Sequence, residues 1–247
     1  MSDATKILMV GAKGRMGQTI LRVAAANPHF EITGTVDQGD NVLDRLDYCD
    51  AIIDFSHHSI SAPLAQIAAA HGKPLIIGTT GHSAEEKKDI AEAAGSTPIV
   101  LAPNFSVGVN VLFYLTRKAA EILGEEFDQE IVEMHHRLKI DAPSGTAKRL
   151  AEILVDVKGK AYDEIVLPGR SGEPGKRTRD EIAVHALRGG DVVGDHTVIF
   201  AGIGERVELS HKASSRETFA NGALRAAKWS IGRAPGLFSM QDVLGLK

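Results

Sequence analysis

The sequence predicts an α/β protein: a doubly wound parallel sheet followed by a second, α+β domain with a mostly antiparallel sheet. Three observations predict it. Strands and helices alternate over the first hundred or so residues, a glycine-rich turn joins the first strand to the first helix, and after about residue 125 strands follow one another with one helix between them.

Residues 7–10 (ILMV) are a continuous apolar run that meets glycine at once, as a buried parallel strand entering a tight turn does. Met16, Ile20, Val23 and Ala24 then fall on one helical face, and Asn27-Pro28 ends the pattern. Residues 31–36 form the second strand. The alternation continues with strands at 51–54, 74–77 and 99–101 and helices at 60–70 and 83–93. Val109, Leu112, Phe113, Thr116, Ala120 and Leu123 mark a longer helix leading out of this domain. Strand-like runs at 130–134, 182–187, 192–201 and 206–211 follow, with a helix over 146–157. Residues 168–179, rich in Gly, Pro and Arg, read as a long loop, either a lid or interface element or a solvated surface segment. A last helix over 217–231 carries Phe219, Ala223, Ala226 and Ala227 on one face.

Composition excludes several classes. With 247 residues, 43% hydrophobic and 24% charged, the chain has material for two ordinary globular domains. A net charge of -4 gives no basic footprint for nucleic acid, so a small-molecule partner is expected. The one cysteine, Cys49, cannot form an intrachain disulfide, and no Cys/His spacing suits zinc, so no metal is expected. No signal-like or membrane-spanning apolar run is present, and a cytoplasmic, soluble protein without membrane contact is the expectation.

Two motifs carry chemistry. Gly11-Ala12-Lys13-Gly14-Arg15-Met16-Gly17 sits between a strand and a helix, the context a dinucleotide fingerprint requires. Gly11 suits the tight turn, Gly14 lets the backbone approach a pyrophosphate, and Gly17 permits close helix–sheet packing, with the helix N-terminus toward the phosphates. Asp37, at the end of the second strand, is placed to accept from the adenosine ribose, and its charge with neutral Gln38 beside it disfavours a 2′-phosphate. NAD(H) is therefore expected at least as readily as NADP(H), although Lys13 and Arg15 could offset the repulsion. The loops Gly78-Thr79-Thr80-Gly81 and Ala102-Pro103-Asn104-Phe105-Ser106 also fall at strand C-termini, where ligands bind in open α/β sheets; as isolated loops they are equally well explained as turns.

The second motif, residues 133–147, packs His135, His136, Lys139 and the helix-start signal Ser144-Gly145-Thr146 into fifteen residues. An imidazole poised near neutral pH, an amine and backbone N–H groups at a helix start together describe a pocket for an acidic substrate that must be protonated. Adjacent residues on a strand face opposite ways, so His135 and His136 cannot share one job. The bland readings are a structural histidine, a solvated lysine and an ordinary helix cap.

These segments, with Asp54-Phe-Ser56 and His211-Lys-Ala-Ser-Ser-Arg216, resemble the dihydrodipicolinate reductase family, whose members are 4-hydroxy-tetrahydrodipicolinate reductases of diaminopimelate and lysine biosynthesis. The resemblance covers nearly the whole chain, and His135-His-Arg-Leu-Lys139-Ile-Asp-Ala-Pro-Ser-Gly-Thr146 is its most specific part. It implies a Rossmann-like domain of residues 1–106 completed by 216–247, and a substrate-binding and tetramerisation domain of residues 107–215, with hinge closure between them. It also implies a homotetramer, NAD(H) or NADP(H) as cofactor and a small dicarboxylate as substrate. By match to the family, His135 donates or accepts a proton and Lys139 is the second donor. His136 and the Gly145 and Thr146 backbone would bind carboxylates, with Thr80 close to both ligands. Gly11, Ala12, Lys13, Gly14, Arg15, Met16 and Asp37 would hold the pyrophosphate and adenosine ribose, and Gly78, Thr79, Thr80, Ala102, Pro103, Asn104 and Phe105 the nicotinamide half. The chain departs from the family pattern at Gln38, where NADPH-competent relatives often carry Arg, in a short segment 39–48, and in lacking a proline soon after Asp54-Phe55. Another two-domain dehydrogenase, such as one acting on aspartate, and a non-catalytic NADH sensor are the alternatives; a sensor has no need of the residues at 135, 139 and 145–146.

Overall fold

The computed structural model describes residues 4–246, which form two compact units: residues 4–107 with 216–246, and residues 108–215. In chain order the first unit comprises β1 (Thr5–Val10), α1 (Arg15–Ala25), β2 (Phe30–Val36), α2 (Leu43–Leu46), β3 (Ala51–Asp54), α3 (His58–Ala70), β4 (Leu75–Ile77), α4 (Ala84–Ala93) and β5 (Pro98–Leu101). Then come α5 (Val107–Leu123), β6 (Asp128–His135), α6 (Gly145–Lys158), α7 (Tyr162–Ile165), β7 (Val166–Leu167), β8 (Ile182–Arg188), β9 (Gly194–Ala201) and β10 (Arg206–Ala213). The chain finishes in the first unit with α8 (Glu217–Ser230), β11 (Gly236–Phe238) and α9 (Met240–Leu244).

The first unit is a six-stranded, all-parallel sheet in the order β11-β5-β4-β3-β1-β2. Its strands are apolar on both sides because helices cover both faces. Ile7, Met9, Ile53, Ile76 and Val100 pack with residues of α1, α8 and α9, whereas Leu8, Val10, Ile52, Leu75 and Ile77 pack with α3 and α4. Each such fully buried aliphatic side chain contributes roughly 1.5–3 kcal/mol. Strand order reverses at β1, which lies between β2 and β3, so the loops leaving β1 and β3 part there and leave a crevice.

The second unit is a five-stranded sheet ordered β10-β9-β6-β8-β7. The sheet is mixed, with most of its residue pairs antiparallel: β10·β9 and β9·β6 are antiparallel, while β6·β8 and the short β8·β7 are parallel. The β6·β8 pair is parallel because α6 makes the passage from β6 to β8 a crossover and so returns the chain in the same direction. Along β6 buried and half-buried residues alternate strictly, placing Gln129, Ile131, Glu133 and His135 on one face. That face's core is Ile131, Val184, Val198 and Phe200 packed with Leu112 and Phe113 of α5 and Leu150, Ala151 and Leu154 of α6. Among the described residues, no helix is long and apolar enough to cross a membrane.

Candidate active site

In the first unit the glycine turn is shaped by steric necessity. Gly11 adopts φ 80°, and a Cβ there would lie 2.4 Å from the Phe55 carbonyl oxygen. Gly17 is tighter: its Cβ would meet the Gly11 carbonyl oxygen at 2.2 Å. Gly14, the N-cap of α1, is exposed, with 3.3 Å to the nearest atom, so its backbone can be approached. Asp37 accepts from the Lys13 backbone N–H at 3.2 Å to each carboxylate oxygen, which ties the end of β2 to this turn and leaves lone pairs for a further donor. Gly11, Gly14, Asp37, Gln38 and Asp40 share a cavity of about 830 Å³ whose far wall is Ile60, Pro63, Leu64 and Ile67 of α3. Open backbone, a carboxylate and an apolar wall fit the phosphate, ribose and base of a dinucleotide. Among the described residues, the lining carries no lysine or arginine.

The other first-unit residues divide by exposure. Lys13, Arg15, Thr80 and Pro103 are exposed, Met16, Gly78 and Asn104 half-buried, and Ala12, Thr79, Ala102 and Phe105 buried. Ala12, Ala102 and Phe105 belong to the core, so their side chains anchor the loops that carry them. Neither the 78–80 nor the 102–105 loop lines the cavity above. Both are braced on Phe55: a Cβ on Gly78 would overlap its ring at 2.2 Å, and Phe105 stacks obliquely on it with centroids 5.8 Å apart. Buried Asp54 accepts from the Ser56 hydroxyl at 2.5 Å and the Ser61 hydroxyl at 2.6 Å, while the Ser56 N–H also donates to Thr79 Oγ1 at 2.9 Å. Burial pushes the Asp54 carboxyl above its ordinary pKa, and these hydroxyls oppose that. His57 caps α3, and His58 pairs with Glu86 at 2.8 Å.

In the second unit the 133–147 segment folds around one carboxylate. Glu133 is wholly buried and receives the Arg188 guanidinium bidentately, Nη1 to Oε2 at 2.8 Å and Nη2 to Oε1 at 2.9 Å. The Ser144 backbone N–H donates to Oε1 at 3.0 Å, and His135 Nδ1 lies 2.6 Å from Oε2. Burial would raise the Glu133 pKa, but the Arg188, His135 and Ser144 donors outweigh it and hold the group below the usual carboxylate range. Arg188 Nη2 also donates to the Asp141 carbonyl at 2.5 Å, fastening the loop that carries Lys139. Lys139 Nζ is 2.8 Å from Asp141 Oδ1, a pairing that lowers the Asp141 pKa.

His135, at the end of β6, is 8% exposed. Burial lowers its pKa against the upward pull of Glu133. Its ring meets His196 edge-on at 5.1 Å between centroids. His196 is buried, with its pKa lowered to about 3 by burial and then by the His135 charge, and its Nε2 is 3.0 Å from Ser144 Oγ. Ser144 Oγ in turn accepts from the Ala147 N–H and caps α6. A Cβ at Gly194 would stand 2.9 Å from His135 Nε2, so glycine keeps that nitrogen's side clear. Gly145 is exposed with open space where a Cβ would be, whereas Thr146 and His136 are half-buried; the His136 N–H donates to the Val192 carbonyl at 2.7 Å. The structure thus gathers His135, Lys139 and the α6 start around Glu133 within one unit.

Three residues of this cluster have no role in the sequence reading. Glu133 lies inside the motif, and its i, i+2 spacing to His135 is the available signal. Arg188 and His196 gave none, because strand register alone brings them in: Arg188 pairs with His135 and His196 with Glu133. Among the described residues, no group of three or more His, Cys, Asp or Glu is placed to hold a metal ion.

Comparison with known proteins identifies the family. The family model for the dihydrodipicolinate reductase N-terminus matches residues 5–105 and that for its C-terminus residues 108–244. The chain is 58% identical over 240 residues to a 4-hydroxy-tetrahydrodipicolinate reductase of Akkermansia muciniphila, covering 97% of this chain and 98% of the relative. It is 45% identical over 266 residues to the Anaeromyxobacter dehalogenans enzyme of the same name, covering 98% of both. Among solved structures, a dipicolinate-bound dihydrodipicolinate reductase from Paenisporosarcina sp. TG-14 superposes with a TM-score of 0.77 at 21% identity over 97% of this chain and 98% of that one. With both family models matched in order over almost its entire length, the chain belongs to the dihydrodipicolinate reductase family.

Proposed function

We propose that the chain reduces 4-hydroxy-tetrahydrodipicolinate, by way of dihydrodipicolinate, to tetrahydrodipicolinate with NAD(P)H, in diaminopimelate and lysine biosynthesis. The observation that carries this reading is the 58% identity with a named reductase along 97% of the chain. Loss of water gives the conjugated cyclic acid, which then gains a hydride and a proton. A bound nicotinamide dinucleotide supplies the hydride, and Gly11, Gly14 and Asp37 hold its pyrophosphate and ribose, with the apolar wall of α3 against the base. The adjoining Ala12, Lys13, Arg15 and Met16 complete the phosphate turn, and Gly78, Thr79, Thr80, Ala102, Pro103, Asn104 and Phe105 take the nicotinamide half.

The ring becomes negative as hydride arrives, so a positioned acid and a nearby cation stabilise it. His135 and Lys139 fill those roles, the first exchanging a proton and the second donating one. His136 and the Gly145 and Thr146 amides at the α6 N-terminus hold the two carboxylates, with Thr80 close to both ligands. Asp37 and Asp40 at the cavity rim favour NADH over a 2′-phosphorylated dinucleotide by charge repulsion. The half-buried face of the second-unit sheet, bearing Val132, Met134 and Ile199, is the surface for homotetramer assembly, and the enzyme acts in the cytoplasm. Neither aspartate dehydrogenase-like chemistry nor NADH sensing accounts for the likeness to the named reductases.

The test is NADH oxidation followed by absorbance while a synthase supplies the substrate. Steady turnover dependent on that synthase is expected. Protein that binds NADH but never oxidises it under these conditions contradicts the reading.

A further inference from the structure

We infer that the Glu133–Arg188 pair is the positioning element of the site, setting which nitrogen of His135 exchanges the proton and fixing that nitrogen relative to the α6 N-terminus. The inference rests on the reductive role of His135 proposed above.

The geometry leaves little freedom. Glu133 has no exposure, and three donors besides His135 converge on its two oxygens: both Arg188 amino groups and the Ser144 N–H. A carboxyl so surrounded is ionised, and an ionised carboxylate only accepts. The atom at 2.6 Å from Oε2, His135 Nδ1, must therefore carry a hydrogen. In the neutral ring Nε2 is then the bare nitrogen, and in the imidazolium it is the one free to release a proton. Gly194 leaves that side without a side chain, since a Cβ would fall 2.9 Å from Nε2. The same carboxylate takes the Ser144 amide, and its partner Arg188 takes the Asp141 carbonyl, so the proton carrier, the Lys139 loop and the helix start are referenced to one ion pair. Register explains why no looser arrangement arises. Glu133 and His135 share a face of β6, and Arg188 is the β8 residue paired with His135.

The charged and titratable groups facing His135 are Glu133 on its own strand, Arg188 on β8, His196 on β9 and Lys139 in the following loop. Glu133 alone of these favours the imidazolium, so its neutralisation should move the titration of His135 in one direction, downward.

Three variants and one spectrum test this. Glu133→Gln keeps the shape but presents an amide N–H to Nδ1 or loses the Ser144 bond. It should lower kcat roughly 10²–10⁴-fold, the span of a lost general acid–base contribution, with KM for the dicarboxylate changed much less. The limb on which kcat falls as His135 loses its proton should shift to lower pH. Glu133→Asp, which restores the charge, should recover most of kcat and return the limb to its wild-type position. Arg188→Lys should lower kcat in the same sense as Glu133→Gln but more weakly, because the charge and one of the two parallel bonds are kept, and it should not move the limb to lower pH, since Arg188 itself disfavours the imidazolium. Wild-type kcat with an unmoved limb in Glu133→Gln overturns the inference, as does equal damage in Gln and Asp variants, which marks a merely structural carboxylate. Histidine-labelled ¹⁵N NMR of the wild type, assigned with His135→Gln, reads the tautomer directly and does not depend on any Glu133 variant folding or on turnover. Neutral His135 should appear as the Nδ1–H form, and a dominant Nε2–H form refutes the assignment even where the enzyme is fully active. An inactive wild type with the Nδ1–H form would instead contradict the reductase reading while leaving the pairing intact.

Discussion

Gly17→Ala separates helix propensity from packing, and the structure says which wins. Alanine in α1 gains about 1 kcal/mol of helix propensity over glycine. Against that, the new Cβ would stand 2.2 Å from the Gly11 carbonyl oxygen and 2.7 Å from both the Cα and the carbonyl oxygen of Ala12. All three atoms are backbone, and the Gly11 N–H is itself bonded to the Val36 carbonyl at 2.9 Å, so the turn cannot recoil without breaking the strand end. Overpacking of this kind costs about 1–3 kcal/mol, and unyielding neighbours put it at the upper end, leaving a net loss of about 2 kcal/mol. In a chain of this size that lowers the thermal midpoint by about 4–8 °C. NADH affinity should fall with it, because the displaced turn is the one with the open Gly14 backbone. Gly145→Ala is the control: it lies in α6 with nothing near its Cβ and should move the midpoint by no more than about 1–2 °C. Calorimetry on the three proteins checks this. A Gly17→Ala midpoint at or above the wild type would refute the reasoning, since propensity would then outweigh the clash.

Further outcomes follow from other parts of the molecule. Wild-type kcat/KM should be at least as high with NADH as with NADPH, and Asp37→Ala should raise the NADPH to NADH ratio about fivefold, the worth of about 1 kcal/mol of charge repulsion; a tenfold NADPH preference in the wild type contradicts it. Arg177 Nη1 bonds Asp128 at 2.7 Å, its Nε bonds Glu130 at 3.1 Å, and its Nη2 bonds the Gln129 and Glu181 carbonyls, so Arg177→Ala should free the 168–181 loop and speed its limited proteolysis several-fold, whereas unchanged cleavage would show that Arg170 suffices. Glu130, opposed by burial but held by Arg170, His185 and Arg177, has its pKa lowered from 4.5 to about 2. A depressed carboxylate stabilises above its unfolded pKa and loses that contribution as protons bind, so about 3 kcal/mol should vanish as pH falls from 4.5 to about 2. Glu130→Gln should flatten acid unfolding over that window, and an unchanged slope speaks against the pairing.

How much the sequence disclosed depended on whether the determinant was local. The buried strands of the first unit announced themselves as apolar runs because helices cover both sides, and the Gly11–Gly17 turn because its glycine spacing between a strand and a helix is a local pattern. The start of α6 at Ser144 was legible for the same reason. What depended on strand register was not. The parallel pairing of β6 with β8 follows from a crossover that linear alternation does not reveal, and it alone delivers Arg188 to Glu133. The antiparallel neighbour brings in His196. Short elements were also missed: β7, with two residues, and β11, with three, lack the length for a period to show. The result is that the two histidines and the lysine were visible from the start, while the carboxylate and guanidinium paired beside His135 took their place only in three dimensions.

The most direct measurement of the central claim is single-turnover NADH oxidation on wild type, His135→Gln and Lys139→Ala, each first shown by fluorescence to bind NADH with wild-type affinity. Hydride transfer coupled to protonation by these residues predicts loss of roughly 10²–10⁴-fold in the transient rate for His135→Gln, and a loss within the same range for Lys139→Ala. Wild-type transient rates in both variants would contradict the assignment of the second unit's cluster as the place where the ring receives its proton.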